Sequence, residues 1–255
     1  MSILQKKRFD LIMKSDSGKM SFLMIAEIIL ITLGITLALK VDEWSAQRED
    51  EETKVEYLND LHEELQSDIL FYDHYNDIYK FQAESIYSTY QVLNNGFNDE
   101  VDTKDFAQTC VNGLNFGAWN RTPIVWEELK TTGKRRHIDN KSLLIQLHSY
   151  YNKVEELHSG VLLSLHKSIL DIRDVYMKEF DIKHVDELLA DSTVFILESK
   201  PSNESVEVIF SDMELKKNLK KCYAYYRAAI LNQNRFMSEA QALSDAILLE
   251  VESIK

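Results

Sequence analysis

The sequence predicts an all-α protein, with one N-terminal transmembrane helix followed by an elongated bundle of long amphipathic helices. Two observations carry this prediction. The 255 residues include only two prolines and seven glycines, too few to punctuate a many-stranded sandwich or barrel. Apolar residues also recur at spacings of three and four over three long stretches, which is the period of a helix that buries one face.

Residues 21–41 are predicted to cross a membrane. The run from Phe22 to Val41 reads FLMIAEIILITLGITLALKV and contains one carboxylate, Glu27. At about 1.5 Å of rise per residue, about twenty residues span a hydrocarbon core of roughly 30 Å. The run is longer than the apolar core of a cleavable signal peptide, and no A-x-A-like site follows it, so we expect an uncleaved signal-anchor. Trp44, just past the run, suits the interfacial position that aromatic rings favour.

Charge is distributed unevenly around this span. Residues 1–20 form a basic N-terminus of net charge +3, and residues 42–255 form an acidic domain of net charge −16. Because basic flanks stay on the cytoplasmic side, we expect a cytoplasmic N-terminus and a periplasmic domain outside a bacterial inner membrane. An acidic domain repels phosphate backbones, which argues against nucleic acid as a partner. The basic residues of the N-terminus are Lys6, Lys7, Arg8, Lys14 and Lys19.

The first long amphipathic pattern follows the span directly. It runs to Asn94-Asn95-Gly96, a sequence that stops helices. No glycine or proline lies between Val41 and Asn95. The membrane helix can therefore continue into this pattern as one helix, or it can break near Trp44.

Two shorter helices are predicted next. One begins after Asp102 or Thr103. The other has Thr122 as its N-cap and Pro123 as its first helical residue, where the missing N–H of proline costs nothing. Gly133 is expected to end it in the left-handed conformation.

The C-terminal half is predicted to hold two long helices and an irregular region between them. The first helix begins near Asp139 or Asn140 and runs to about Phe180, with Gly160 inside it as a weak point. The last helix opens with Asp212 as N-cap and continues towards the end of the chain. Between them, residues 192–210 place two short apolar runs around SKPSNES, which predicts a small hairpin or an irregular excursion.

Two different blocks of the chain carry a family resemblance, and they read AEIILITLGITLALKVDEW and VWEELKTTGKRRHIDNKSLLIQLHSYY. Together they resemble an uncharacterised family (a domain of unknown function) of single-span membrane proteins common in Bacteroidota. The resemblance implies a single-pass protein with a helical domain, and it brings no activity. The chain departs from the pattern at Asp42-Glu43, where the family has Asn-Asn, and in the basic run 134–137. The matching positions are Glu27, Gly34, Ile35, Ala38, Leu39 and Trp44, then Trp126, Glu127, Leu129, Gly133, Ile138, Leu143, Tyr150 and Tyr151.

The span carries a candidate assembly face. Gly34 and Ala38 lie seven and eleven residues after Glu27, so all three share one side of a helix. Small residues let two helices approach closely, and a carboxylate inside a span is a functional hypothesis by default. Three interpretations stay open: self-association with Glu27 turned inward, a cation path lined by Glu27, or a carboxylate that reaches water near the headgroups.

No pattern in the chain predicts catalysis, and we expect a protein that is not an enzyme and needs no cofactor. The sequence has no nucleophile elbow, P-loop or dinucleotide fingerprint. Glu155 and His158 make a single E-x-x-H, and because a second copy is absent we expect no metal site. Cys110 and Cys222 are 112 residues apart; we expect two separate buried thiols, with one disulfide as the alternative.

The chain has twelve tyrosines, and eight of them cluster in two parts of the chain, where they either line a ligand groove or form an amphipathic core with hydroxyls at its rim. We expect the core. The clusters are Tyr72, Tyr75, Tyr79, Tyr87 and Tyr90, and Tyr223, Tyr225 and Tyr226.

The sequence leaves three functional hypotheses. The first is a membrane-anchored helical interaction or sensor protein, a homo-oligomer through its span, with the lipid bilayer and an unidentified protein as partners. The second is a membrane-active effector or ion-conducting oligomer with Glu27 in the path. The third, an enzyme in the acidic domain, has no motif behind it.

Overall fold

The computed structural model describes residues 16–97, 101–114, 116–117, 122–186 and 192–254. The chain forms two compact units, Met1–Val55 and Glu56–Lys255. The predicted basic N-terminus falls mostly on residues 1–15, so its lysines and arginine at positions 6, 7, 8 and 14 lie outside the described residues.

Helix α1, Asp16–Asn95, is one continuous helix of 80 residues. It passes through Trp44 as regular helix, so the alternative of a break there is wrong. It ends at the predicted stop signal, and Gly96 adopts a left-handed φ of 87°. Among the described residues, α1 is the one helix long and apolar enough to cross a membrane.

The apolar part of α1 in the first unit is exposed along its length. Leu30 is 72% exposed, and none of the most apolar window of the helix is buried. The two threonines in this stretch turn their hydroxyls onto the helix itself: Thr32 donates to the carbonyl of Ile28, and Thr36 to the carbonyl of Thr32, both at 2.8 Å. These polar groups are therefore satisfied inside the helix, as a hydrocarbon environment requires.

The second unit is built almost entirely from helices. Pairs of rings join α1 to the last helix: the ring centroids of Tyr72 and Phe236 are 5.8 Å apart, and those of Tyr79 and Tyr226 are 5.6 Å apart. These contacts confirm the predicted packing of long amphipathic helices. After α1 the elements are α2 Thr103–Asn112, β1 Phe116–Gly117, α3 Ile124–Thr131, a 3₁₀ helix Lys134–His137, α4 Lys141–Leu157, a π-helical turn His158–Leu162, α5 Leu163–Glu179, β2 Ile182–Asp186, β3 Ser192–Leu197, α6 Asn203–Ser211 and α7 Met213–Ile254.

Three of the predicted helix starts are confirmed by their caps. Asp102 accepts hydrogen bonds from the backbone N–H groups two and three residues on, at 2.8 and 3.3 Å. Asn140 and Asp212 each accept from the N–H three residues on, at 3.1 and 2.8 Å. Each side chain satisfies donors that the first turn of a helix leaves unpaired.

Helix α3 begins one residue later than predicted. Pro123 itself occupies the N-cap position in an extended conformation, and the first helical residue is Ile124. The prediction of Thr122 as N-cap is therefore wrong. The physical reason is that the first amides of α3 are capped from another helix, by Glu64 of α1.

The predicted helix over residues 140–180 is present and continuous, but its hydrogen-bond pattern changes in the middle. There the π-helical turn, which contains Gly160, joins α4 to α5. The weak point noted at Gly160 is therefore the place where the hydrogen-bond pattern changes. Single π-helical turns inside an α-helix are found often at functional sites.

The strands form a small three-stranded sheet in the order β1-β3-β2, with both pairings antiparallel. The predicted hairpin near residues 192–210 is half correct. Residues 192–197 are a strand, but their hairpin partner is β2, which precedes them. Residues 203–211 are helix α6, because Ser202 caps its first turn and Val206, Ile209 and Phe210 bury one helical face.

Six tyrosines in the interior of the second unit are at most 5% exposed. Three of them, Tyr72, Tyr79 and Tyr226, belong to the two clusters that the sequence assigned to a core, and the core interpretation is confirmed for these three. Tyr87 and Tyr223, by contrast, stack on one another near the surface with centroids 4.9 Å apart. The buried six are Tyr72, Tyr79, Tyr150, Tyr151, Tyr176 and Tyr226.

Candidate functional site

A buried carboxylate of α1 connects three helices of the second unit. Glu64 is 8% exposed. Its Oε2 accepts the backbone N–H of Val125 at 2.7 Å, and its Oε1 accepts the backbone N–H of Trp126 at 3.3 Å. The hydroxyl of Tyr151, on α4, donates to the same Oε1 at 2.7 Å. Glu64 thus caps α3 and holds α4 with one side chain.

A second buried acid lies one turn further along α1. Asp68 is 2% exposed and accepts a hydrogen bond from the hydroxyl of Tyr150 at 2.9 Å. Burial raises the pKa of the Glu64 carboxyl above its ordinary value, against hydrogen bonds from Tyr151 and from α3 that lower it. Burial and the nearby Asp68 raise the pKa of Tyr150, so its hydroxyl keeps its proton as a donor.

Sequence reasoning did not identify Glu64 or Asp68. Both lie between the apolar positions of α1, where a charged residue is usually a solvated one. Their spacing could have revealed them, because Glu64 and Asp68 share one helical face with the apolar Leu61 and Leu65. Charged residues inside an apolar stripe are worth testing as caps or buried partners.

A groove of about 420 Å³ lies between α3 and α4. Its floor is aromatic, because the rings of Trp126 and Tyr151 stack with centroids 4.9 Å apart and planes 13° apart. Glu64 fixes both of these residues from below. Val154 completes the floor, and the walls are polar and include Glu127, Lys130, Asn152, Glu155 and His158.

The charged groups of the groove are distributed over its two helices. Glu127 and Lys130 of α3 form an ion pair at 2.5 Å. Glu155 and His158 lie one turn apart at the end of α4, and His158 is the first residue of the π-helical turn. Among the residues that the structure describes, no three His, Cys, Asp or Glu side chains are grouped as metal ligands.

The structure brings together most of the second block of predicted family positions. Trp126, Glu127 and Tyr151 line the groove, while Leu129 is a fully buried residue of α3. Tyr150 binds Asp68 behind the groove, and Gly133 ends the α3 segment with a left-handed φ of 72°. The residues at these positions therefore either line the groove or pack behind it.

The first block of predicted positions lies apart, in the first unit. Glu27, Gly34 and Ala38 are exposed on α1, and a Cβ added at Gly34 would meet nothing within 4 Å. Trp44 is 64% exposed. Their role in assembly or at an interface stays a prediction.

The basic run after Gly133 packs against the beginning of the second unit. Lys134 donates to the hydroxyl of Tyr57 and lies 4.9 Å from the centre of the same ring. Its ammonium is also 3.4 Å from a carboxylate oxygen of Glu128. His137 stacks on Tyr57 with ring centroids 6.4 Å apart. Lys134 and His137 therefore help to hold the 3₁₀ helix on α1.

Both cysteines are free thiols inside the second unit, so the alternative of a disulfide is wrong. Burial raises the pKa of the Cys110 thiol to about 12, and it raises that of Cys222 as well. A thiol with a raised pKa does not supply the thiolate that nucleophilic or metal-binding cysteines need.

These features define a helical protein with a helix long and apolar enough to cross a membrane, and with a groove supported by buried acids. The model of a family of unknown function (DUF6090) matches residues 27–153 of the chain. Comparison with curated proteins and with solved structures gave no significant match. The expectation of an uncharacterised family is thus confirmed, and the matched segment includes Glu64 and the second block of family positions.

Proposed function

We propose that this protein is a single-pass, membrane-anchored interaction or sensor protein without catalysis of its own. The observation that carries the proposal is the continuity of α1. One helix carries the exposed apolar stretch in the first unit and the Glu64 and Asp68 contacts in the second. Such a helix provides an anchor and a core element in the same piece of chain.

The proposed role in recognition is supported by the composition of the groove. Its walls offer carboxylates, an ammonium, an amide and an imidazole around an aromatic floor, a composition suited to binding. The two cysteines are buried with raised pKa values and do not line the groove. We therefore place the function in recognition.

For location, we propose an uncleaved signal-anchor in a bacterial inner membrane, with a cytoplasmic N-terminus and a periplasmic acidic domain. The basic flank before the span and the acidic chain after it support this orientation. A single cysteine introduced near residue 10 and another at exposed Ser238 would report the two sides through a membrane-impermeant maleimide. We expect labelling in intact spheroplasts only at position 238, and the reverse pattern would contradict the orientation.

We further propose that the span self-associates through Glu27, Gly34 and Ala38. Replacing Gly34 by Leu adds bulk to this face, and we expect it to reduce dimers or higher oligomers in mild detergent several-fold. Thr36→Leu is the matched control, because position 36 lies on the opposite side of the helix. Size-exclusion chromatography with light scattering measures both variants. A monomeric wild-type protein at all concentrations would remove the assembly part of the proposal.

A second candidate is an ion-conducting oligomer, and the observation that favours it is the carboxylate of Glu27 inside the exposed apolar stretch. Expression would then depolarise cells, and Glu27→Gln would abolish the effect. Glu43→Gln, beyond the span, is the control. Unchanged membrane potential on expression of the wild type would reject this candidate.

A further inference from the structure

We propose that the groove between α3 and α4 binds an organic cation, an ammonium or guanidinium group carried on an apolar body. The inference rests on the proposed function, because it names the class of ligand that the interaction or sensor domain would take. Its support comes from the shape, the charge and the rigidity of the groove.

The shape of the groove suits an apolar body of modest size. Its volume of about 420 Å³ is that of a small-molecule site. The side chains of Trp126, Tyr151 and Val154 form the floor, and each is at most 8% exposed. An aromatic or aliphatic ligand would cover this floor and exclude the remaining water from it.

The charge of the groove selects a cation. Of its two carboxylates, Glu127 already pairs with Lys130. Among the described residues no ion pair offsets Glu155, which is exposed on the opposite wall. The nearby Lys153 is paired with Glu239 on α7 at 3.0 Å. Glu155 is therefore the group that would meet a positively charged ligand above an apolar floor.

The rigidity of the groove lowers the cost of binding. Glu64 fixes the amides of Val125 and Trp126 and the hydroxyl of Tyr151, so the floor is already in place before a ligand arrives. A site that needs no rearrangement loses less conformational entropy on binding. The same three contacts connect the floor of the groove to α1.

The test is calorimetric titration of the full-length protein in detergent with three probes that share one apolar body. They are 2-phenylethylamine, which is a cation, 2-phenylethanol, which is neutral, and 3-phenylpropionate, which is an anion. We expect the amine to bind about tenfold more tightly than the alcohol, and the anion to bind most weakly. Equal affinities for the amine and the alcohol would overturn the proposal.

Two neighbouring variants locate the charge. Glu155→Gln should weaken the amine about five- to tenfold and leave the alcohol unchanged. Glu156→Gln is the control, since this exposed neighbour does not line the groove. An equal effect of both variants, or no effect of Glu155→Gln, overturns the assignment. If the amine fails to bind while the wild-type protein still forms oligomers and stays in the membrane fraction of cells, this inference alone is lost. A wild-type protein that is not found in the membrane fraction would instead reject the proposed function.

Discussion

The backbone N–H of Trp126 donates to the Glu64 carboxylate at 3.3 Å, so α1 supplies the cap that α3 lacks in its own sequence. Pro123, at the N-cap of α3, has no side-chain acceptor to offer. A cap from a distant helix fixes where α3 lies as well as where it begins. The position and the first residue of α3 therefore depend on the Glu64 carboxylate, which is 61 residues away in sequence from the first amide that it binds.

Removal of this carboxylate should destabilise the second unit. Glu64→Ala leaves two backbone N–H groups and the Tyr151 hydroxyl without their acceptor, and we expect a loss of about 2–4 kcal/mol in the free energy of unfolding. Urea denaturation followed by circular dichroism measures it. Glu63→Ala, at an exposed neighbour, should change stability by less than about 0.5 kcal/mol. Similar losses in both variants would show that Glu64 is not the cap.

The titration of Glu64 should make stability depend on pH. Because its pKa is raised in the folded state, the folded protein binds this proton more tightly than the unfolded one. Its contribution is full below the ordinary glutamate pKa of 4.5 and is lost as the pH rises through the folded-state pKa. Thermal melts from acid to neutral pH should show the stability of the wild type falling relative to Glu64→Gln. A wild type that gains stability relative to Glu64→Gln as the pH rises would contradict this prediction.

The hydroxyl of Tyr151 should be coupled energetically to Glu64. Tyr151→Phe removes one donor to a buried carboxylate, and we expect a cost of about 1–3 kcal/mol. In a double-mutant cycle with Glu64→Ala, the Tyr151 variant should cost much less than it does alone. Tyr87→Phe, at a partly exposed ring, serves as the control and should be nearly neutral. Additive losses in the cycle would argue against the bond.

Two glycines should respond in opposite directions to the same substitution. Gly133→Ala places a side chain at a φ of 72°, so we expect a loss of about 1–2 kcal/mol. Gly160 lies in the π-helical turn, where an added Cβ meets nothing within 4 Å. Gly160→Ala should therefore be neutral or stabilise by up to about 1 kcal/mol. Thermal unfolding of both variants tests the pair, and equal destabilisation would contradict the assigned conformations.

Both cysteines should react slowly with a maleimide while the protein is folded. Cys110 and Cys222 are fully buried free thiols, so their modification needs local or global opening. Mass spectrometry should find two labels after denaturation without reductant and almost none before it. A denatured protein that takes up no label without reductant would indicate a disulfide between the two cysteines.

The helical part of the fold could be predicted because its signals are local. Caps at Asp102, Asn140 and Asp212 and the left-handed Gly133 depend on a few neighbouring residues. The sheet could not be predicted in the same way. Strand β3 reads STVFIL and has a clear local preference for a strand, but its choice of β2 over the segment 203–211 depends on pairing across the chain.

The candidate groove was predicted only in part. The second family block includes Trp126 and Tyr151, but the sequence does not show that these rings stack or that Glu64 lies beneath them. A carboxylate on an apolar helical face looks like an ordinary surface residue until the partner helices are in place. The missing information is therefore a contact between residues far apart in the chain.

The border of the family match has a practical meaning for anyone who expresses this protein. The match ends at residue 153, inside α4, yet the rings that cover Tyr72 and Tyr79 come from α7. A gene fragment cut at that border would remove Phe236 and Tyr226 and leave the aromatic face of α1 open to water. Such a fragment should aggregate, whereas one that extends through residue 254 retains the partners of that face.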